Sequence, residues 1–426
     1  MTSDIDRVLS QIDKEELADL VLAICNVDAP SGHERAAGEF IEGWLRQEGF
    51  KTRVLGLVPE RPNVVGTRKG TGGGYSLLFN SHMDTFPSEQ EVWSRRDCKE
   101  PMDHGAWREG DMLWGMPVVN DRGPMACFLT AARAIKKAGI ALKGDLLLTT
   151  VSGELGREPV DEFQGPVYAD HDIGARYMVA HGAVADYALV AECTDFHVTW
   201  LEAGRAVYKI TLFTVRSFGG PFLKRPYTVE KNPNAVIPMA RLIEKLEDWA
   251  LTYEQKHTYV CPAGTLIPKV SIGAVRGGSP YFTYLSSELA SVYVELWTPP
   301  NLDVLAMKSE LENLVHSLGM EGKVELTAFR RGHEAQNIDR LLQAIDQAHG
   351  RLFNKKVETV VGPICSMWRD VNVFNEAGIP AATYGPGVLQ NLVLQANRGL
   401  SLESLYQTAQ VYATVALDIC NQEKKA

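Results

Sequence analysis

The 426-residue chain has no uninterrupted apolar run of about 18 residues, so no segment of it reads as a membrane-spanning helix. Its N-terminus, MTSDIDRVLSQIDKEEL, is polar and helix-like and lacks the apolar stretch of a secretory signal. A basic excess is missing as well. The 43 Lys and Arg stand against 53 Asp and Glu, a formal net charge of −10, which argues against an extended nucleic-acid surface. The seven cysteines include no CxxC pair and are odd in number, a scatter expected of reduced core thiols in a cytoplasmic protein rather than of a disulfide frame or zinc finger. Repeats and low-complexity tracts are absent. The glycine-rich stretch 70–74, GTGGG, is followed by neither a helix nor GK[ST], so it is expected to be a turn and not a phosphate loop.

What is present is a chain long and apolar enough (45% hydrophobic) for two domains. In the first half, helical and strand periods alternate. Residues 34–49 carry apolar positions at helical spacing, with Ser31 expected as N-cap and Glu34 at the capping-box position. The run SLLFNSH reads as a buried strand, residues 123–139 as a helix, and GDLLLTTV and YALVAE as further strands. This order predicts an α/β fold with a mostly parallel sheet, in which binding groups collect at the strand ends. From residue 203 the pattern changes to βαββαβ: an alternating strand, a helix over 234–251, two strands, a helix over 303–318 and the strand KVELTAF. The α/β pattern resumes after 330, with a helix over 338–353 and another from 402. The expected organisation is a catalytic domain of residues 1–202 and 330–426 with a ferredoxin-like α+β lid, 203–329, inserted into it.

Acids and a histidine stand at successive strand ends of the first domain. SHMDTFP holds His82 and Asp84, VVNDRG holds Asp121, SGELG holds Glu154 and VAECTD holds Glu192. The i,i+2 spacing of His82 and Asp84 puts both side chains on one side of an extended segment, where the carboxylate can orient the imidazole of a metal ligand. Several buried acids without a cation would be costly, so the set predicts a metal.

At these residues the chain resembles the metal-dependent exopeptidases and deacylases that include acetylornithine deacetylase, succinyl-diaminopimelate desuccinylase, aminoacylase and glutamate carboxypeptidase. The likeness runs over nearly the whole chain and takes in SIGAVRGG (271–278) and EAGIPAATYGPG (376–387). It implies that His82, Asp121 and Glu192 hold a first metal, with Asp121 in the bridging position and Asp84 as the orienting acid. The departures are informative. Where the family has two adjacent glutamates, a base followed by a ligand of a second metal, this chain has Gly153 and Glu154. The histidine that the family places shortly after GPG is missing, and none follows His349. Asp121 and Glu154 alone make a poor zinc site, so one divalent ion per chain is expected, Mn2+ or Zn2+.

The lid departs too. No histidine stands some ten residues before NPNAV, where the chain has Lys224 and Arg225. By spacing, Tyr284 and Trp297 fall where the family grips a substrate carboxylate with an asparagine and an arginine. This implies a flatter, aromatic, carboxylate-bearing small-molecule substrate, for which Arg276, Lys224, Arg225 and Arg369 are candidate cations. The preferred expectation is a one-metal hydrolase of a C–N bond with Glu154 as general base, acting in hydrolytic deamination of an electron-poor aromatic amine such as 5-nitroanthranilate. The alternatives are a two-metal peptidase or deacylase of N-acyl amino acids or peptides, and a catalytically inactive binding homologue. The resemblance further implies a homo-oligomer formed through the lid, with no nucleic-acid or membrane partner.

Overall fold

The computed structural model describes residues 3–85, 105–215, 227–360, 364–387 and 398–424, with Phe218, Lys224, Arg225 and Gly362. Cys98, most of 216–226 and the stretch 388–397 after GPG lie outside the described residues. The chain forms two compact units, Met1–Trp200 with Glu334–Val360 and Arg369–Ala426, and Leu201–His333 with Val361–Trp368. No helix among the described residues is long and apolar enough to cross a membrane.

The first unit is built on a seven-stranded sheet. Its order is Lys51–Leu55, Asn63–Arg68, Leu146–Val151, Leu77–His82, Tyr187–Ala191, Ala381–Tyr384 and Val198–Thr199. The pairings between Leu146–Val151, Leu77–His82, Tyr187–Ala191 and Ala381–Tyr384 are parallel. The outer pairings are antiparallel, so the sheet is parallel at its centre and mixed as a whole. Leu77–His82 and Leu146–Val151 are buried along their full length, which is why LLFNSH and LLLTTV show no alternation. The helix Gly123–Lys137 packs against Leu402–Asn421 and against the strand Leu77–His82.

One buried side chain ties the strand end to the helical layer. Arg122 donates from Nε and Nη2 to Met83 O (2.8 and 2.5 Å) and from Nη1 to Ile24 O (3.0 Å) and Val27 O (2.6 Å). Met83 lies between His82 and Asp84, so this guanidinium pins the backbone that carries both.

The expected capping box at residue 31 does not form. The helix begins at Arg35, Glu34 occupies the N-cap position without a side-chain cap, and Ser31 Oγ donates to the Asp170 carboxylate (2.9 Å). Glu34 instead receives Nε and Nη2 of Arg61 at 2.9 and 2.6 Å. A buried two-point ion pair outweighs a neutral cap, and that distant partner is invisible to local sequence spacing.

In the second unit the strands run Lys269–Gly277, Leu289–Thr298, Gly204–Phe213, Gly322–Arg330, all antiparallel, the order of a βαββαβ sandwich. Alternate residues of the strands, among them Tyr208, Ile210, Val292, Val294 and Leu296, pack on Met239, Leu242 and Leu246 of Val236–Lys256 and on Met307 and Leu311 of Val304–Ser317. A short hairpin, Tyr259–Cys261 with Gly264–Leu266, is added to this plan. Val361–Trp368, which falls in the range expected for the catalytic domain, belongs to this unit. Ala203 N donates to Cys365 O (3.0 Å) and Met367 O (3.1 Å), and Ile267 N to Ser366 Oγ (3.1 Å).

Replacing Arg122 with Met removes four hydrogen bonds to three backbone carbonyls and leaves a shorter, apolar side chain in their place. It is expected to lower the stability of the first unit by roughly 2–4 kcal/mol. Calorimetric melting of the purified variant against the parent checks this.

Candidate active site

Parallel strands end on the same edge of the sheet, and this is what gathers the acids. His82 closes Leu77–His82, Glu192 directly follows Tyr187–Ala191, and Glu154 stands three residues beyond Leu146–Val151. Asp121 comes from the irregular segment Val118–Arg122, where Asn120 and Asp121 leave helical geometry just before the helix Gly123–Lys137 begins. Ligand atoms of His82, Asp121 and Glu192 all lie within 4.8 Å of one another, and all three residues are buried.

Each member is oriented by a neighbour. His82 Nδ1 faces Asp84, 3.0 Å from its backbone O and 3.3 Å from Oδ1, which turns Nε2 toward the cluster. Nε2 lies 2.8 Å from Asn120 Oδ1 and 3.8 Å from Glu154 Oε2. Asp84 in turn accepts the backbone N–H groups of Glu154 (3.2 Å) and Leu155 (3.1 Å). Ser81 Oγ donates to Asp121 Oδ2 (2.6 Å), while Asp121 Oδ1 is buried with no hydrogen-bond partner.

The electrostatics match this geometry. Burial, reinforced by Glu192, pushes the Asp121 carboxyl well up, and burial pushes Glu154 well up against the pull of His82. Asp370, buried and receiving Asn80 Nδ2 at 3.0 Å, is pushed up to about 7, burial again being the main cause. Burial would also raise Asp84, but the hydrogen bond and charge of His82 hold it well below the ordinary carboxylate range. The same pairing overcomes burial at His82 and raises it. An imidazole nitrogen, an orphaned carboxylate oxygen and a second carboxylate converging in a buried, anion-crowded spot are the donor set of a divalent cation, so the residues present fit a metal.

The other sequence candidates are placed separately. Arg369 is buried in the first unit with Nε 3.4 Å from Glu192 Oε2, so this guanidinium serves the acid cluster and is not an open cation. Tyr284, Trp297, Arg276, Lys224 and Arg225 belong to the second unit. There Tyr284 packs against Phe218 and Phe282 beyond one end of Leu289–Thr298, and Trp297 lies at the other end, opposite Arg205 and Lys269. The two aromatics therefore form no common platform within that unit. Asn120, Ser81 and Asp370 are site residues that sequence spacing missed. Asn120 and Ser81 were adjacent to predicted residues, whereas nothing local marked Asp370. Arg398 is buried and lines a cavity of about 250 Å³ with Val119, Asp195, Phe196 and Gly387.

The sequence profile of Peptidase family M20/M25/M40 matches residues 78–418. The chain belongs to this family. It is similar to the N-formyl-4-amino-5-aminomethyl-2-methylpyrimidine deformylase of Bacillus subtilis (strain 168), with 25% identity covering 97% of this chain and 96% of the relative. Carboxypeptidase G2 of Pseudomonas sp. (strain RS-16) is 29% identical over 45% of this chain and 42% of its own. Among solved structures, human carnosine dipeptidase 1 shares the fold with a TM-score of 0.73 at 12% identity, over 99% of each chain. This M20 member is a metal-dependent hydrolase acting on C–N bonds.

A divalent ion that binds this spot in the folded chain and not in the unfolded one would stabilise it by roughly 4 kcal/mol at a free concentration of about a thousand times Kd. Chelator treatment is therefore expected to lower the melting temperature of the first unit, with recovery on adding Mn2+ or Zn2+, as read by calorimetry.

Proposed function

We propose that this M20 enzyme hydrolyses the amide of a small N-acyl amine, with an acyl group as small as formyl and a single flat ring on the amine side. We further propose that His82, Asp121 and Glu192 hold one divalent ion and that Glu154 is the general base. The observation that carries the substrate class is the end-to-end similarity to two N-formyl-4-amino-5-aminomethyl-2-methylpyrimidine deformylases, 25% and 24% identical over 97% and 99% of this chain.

The bound ion would supply Lewis acidity that activates water and polarises the scissile carbonyl. Asp84 keeps His82 in the orientation that presents Nε2 to the cluster. Glu154, whose carboxylate reaches into the cluster beside Nε2, accepts a proton from the attacking water and delivers it to the leaving nitrogen as the C–N bond breaks. The products are a carboxylate (formate for a formyl substrate) and the free amine.

A second reading is hydrolytic deamination of an electron-poor aromatic amine such as 5-nitroanthranilate. One observation favours it, namely Gly153 at the position where the family sets its base. Release of formate from an N-formyl aminopyrimidine and release of ammonia from 5-nitroanthranilate separate the two. Formate is the expected product, and ammonia without formate would exchange the order of the readings.

Glu154→Gln is expected to lower kcat by about 10²–10⁴-fold while the protein keeps one metal per chain by elemental analysis. Loss of the metal in this variant would make Glu154 a ligand instead.

A further inference from the structure

Gly153 is enclosed. Its φ is +70°, and a Cβ added there would lie 2.7 Å from Arg61 Nη2 and 3.0 Å from Asp170 Oδ1, closer than packing permits. The volume a side chain would enter is therefore occupied by an ion pair. Arg61 is 1% exposed, and Glu34 and Asp170 are fully buried. Arg61 Nη2 joins Glu34 Oε1 (2.6 Å) to Asp170 Oδ1 (2.6 Å), and its Nη1 donates to Pro166 O (2.8 Å). Asp170 Oδ2 also accepts from Ser31 Oγ (2.9 Å) and from Arg157 N (2.7 Å).

The turn carrying Glu154 is thus held on both sides. On one side His171 N donates to Gly153 O (2.5 Å) and Asp170 takes the Arg157 amide. On the other, the Asp84 carboxylate takes the amides of Glu154 and Leu155. Buried ion pairs are a costly way to gain stability alone, because desolvation offsets much of the attraction. Holding a turn in one geometry is a use that justifies them.

We propose that the Glu34–Arg61–Asp170 network is a positioning element of the reaction. It closes the space beside residue 153 and fixes the 153–157 turn so that the one carboxylate at 154 is aimed into the cluster. This rests on Glu154 being the base.

Asp170→Asn preserves shape and removes one of the two charges that face Arg61. With the base swung out of line, kcat is expected to fall about 10–100-fold, as for displacements on the order of 1 Å. KM should stay within about twofold and metal content close to the parent's, while the melting temperature falls because a buried ion pair has lost one of its charges. A loss of folded protein alone would also lower apparent kcat at constant KM, so turnover is counted per folded, metal-loaded chain, a count on which mere loss of folded protein leaves kcat at the parent's value. Gly153→Glu is expected to lose activity and to gain no second metal, since the added carboxylate meets Arg61 and Asp170. An unchanged kcat in folded Asp170→Asn overturns the proposal, as does Gly153→Glu with parental turnover. Should Asp170→Asn fail to fold, Ser31→Ala, which removes one donor to Asp170, decides: a severalfold fall in kcat at constant KM supports the proposal and no change overturns it. Turnover surviving in Glu154→Gln removes the base assignment and this proposal with it, whereas a dead Glu154→Gln beside a fully active Asp170→Asn sinks the network's role alone.

Discussion

Buried negative charge governs how this molecule is put together around its site. Asp84, Asp121, Glu154, Glu192 and Asp370 come from five separate segments, and a sheet with a parallel centre delivers most of them to one edge. Burial opposes their ionisation, most clearly at Asp121 and Glu154, and His82 and Arg369 supply part of the opposing charge. The divalent ion proposed among His82, Asp121 and Glu192 would complete the balance. The surroundings serve to keep that convergence in register. Arg122 anchors the backbone between His82 and Asp84, Ser81 fixes one oxygen of Asp121, and Asp84 holds both the imidazole and the turn of Glu154.

The same constraint bears on how the chemistry is divided. A second carboxylate beside Glu154 would add another buried anion to a cluster already short of positive charge. In this chain the corresponding space holds a guanidinium shared between two acid partners. The family hydrolyses C–N bonds, and the bond proposed for this chain is an amide. Such a step asks for one well-placed base and a leaving nitrogen that can take back its proton.

Much of the fold was legible in the chain. Unbroken apolar runs marked the buried strands, and period-two alternation with two amphipathic helices marked the βαββαβ unit, because both signals are written in local spacing. His82, Asp121 and Glu192 were legible for a related reason, since each sits at the end of a recognisable strand or the start of a helix. Ser31 and Glu34 misled, because local spacing resembles a cap whether or not an arginine 27 residues away claims the glutamate. Tyr284 and Trp297 look like a pair in sequence, but Tyr284 lies beyond one end of the strand Leu289–Thr298 and Trp297 near its other end, and a linear spacing carries no record of that.

By itself, then, the sequence determined the alternation of elements, the family, and the presence of one carboxylate beside Gly153 where two were expected. Those are properties of residue type and order. Only the tertiary structure decided that Arg369 answers Glu192, that Asp370 joins the buried acids through Asn80, and that Arg61 and Asp170 close the space at Gly153. Each of these is a contact between segments far apart in the chain. Its strength comes from excluding water around paired charges, which happens only once the sheet and helices have enclosed them.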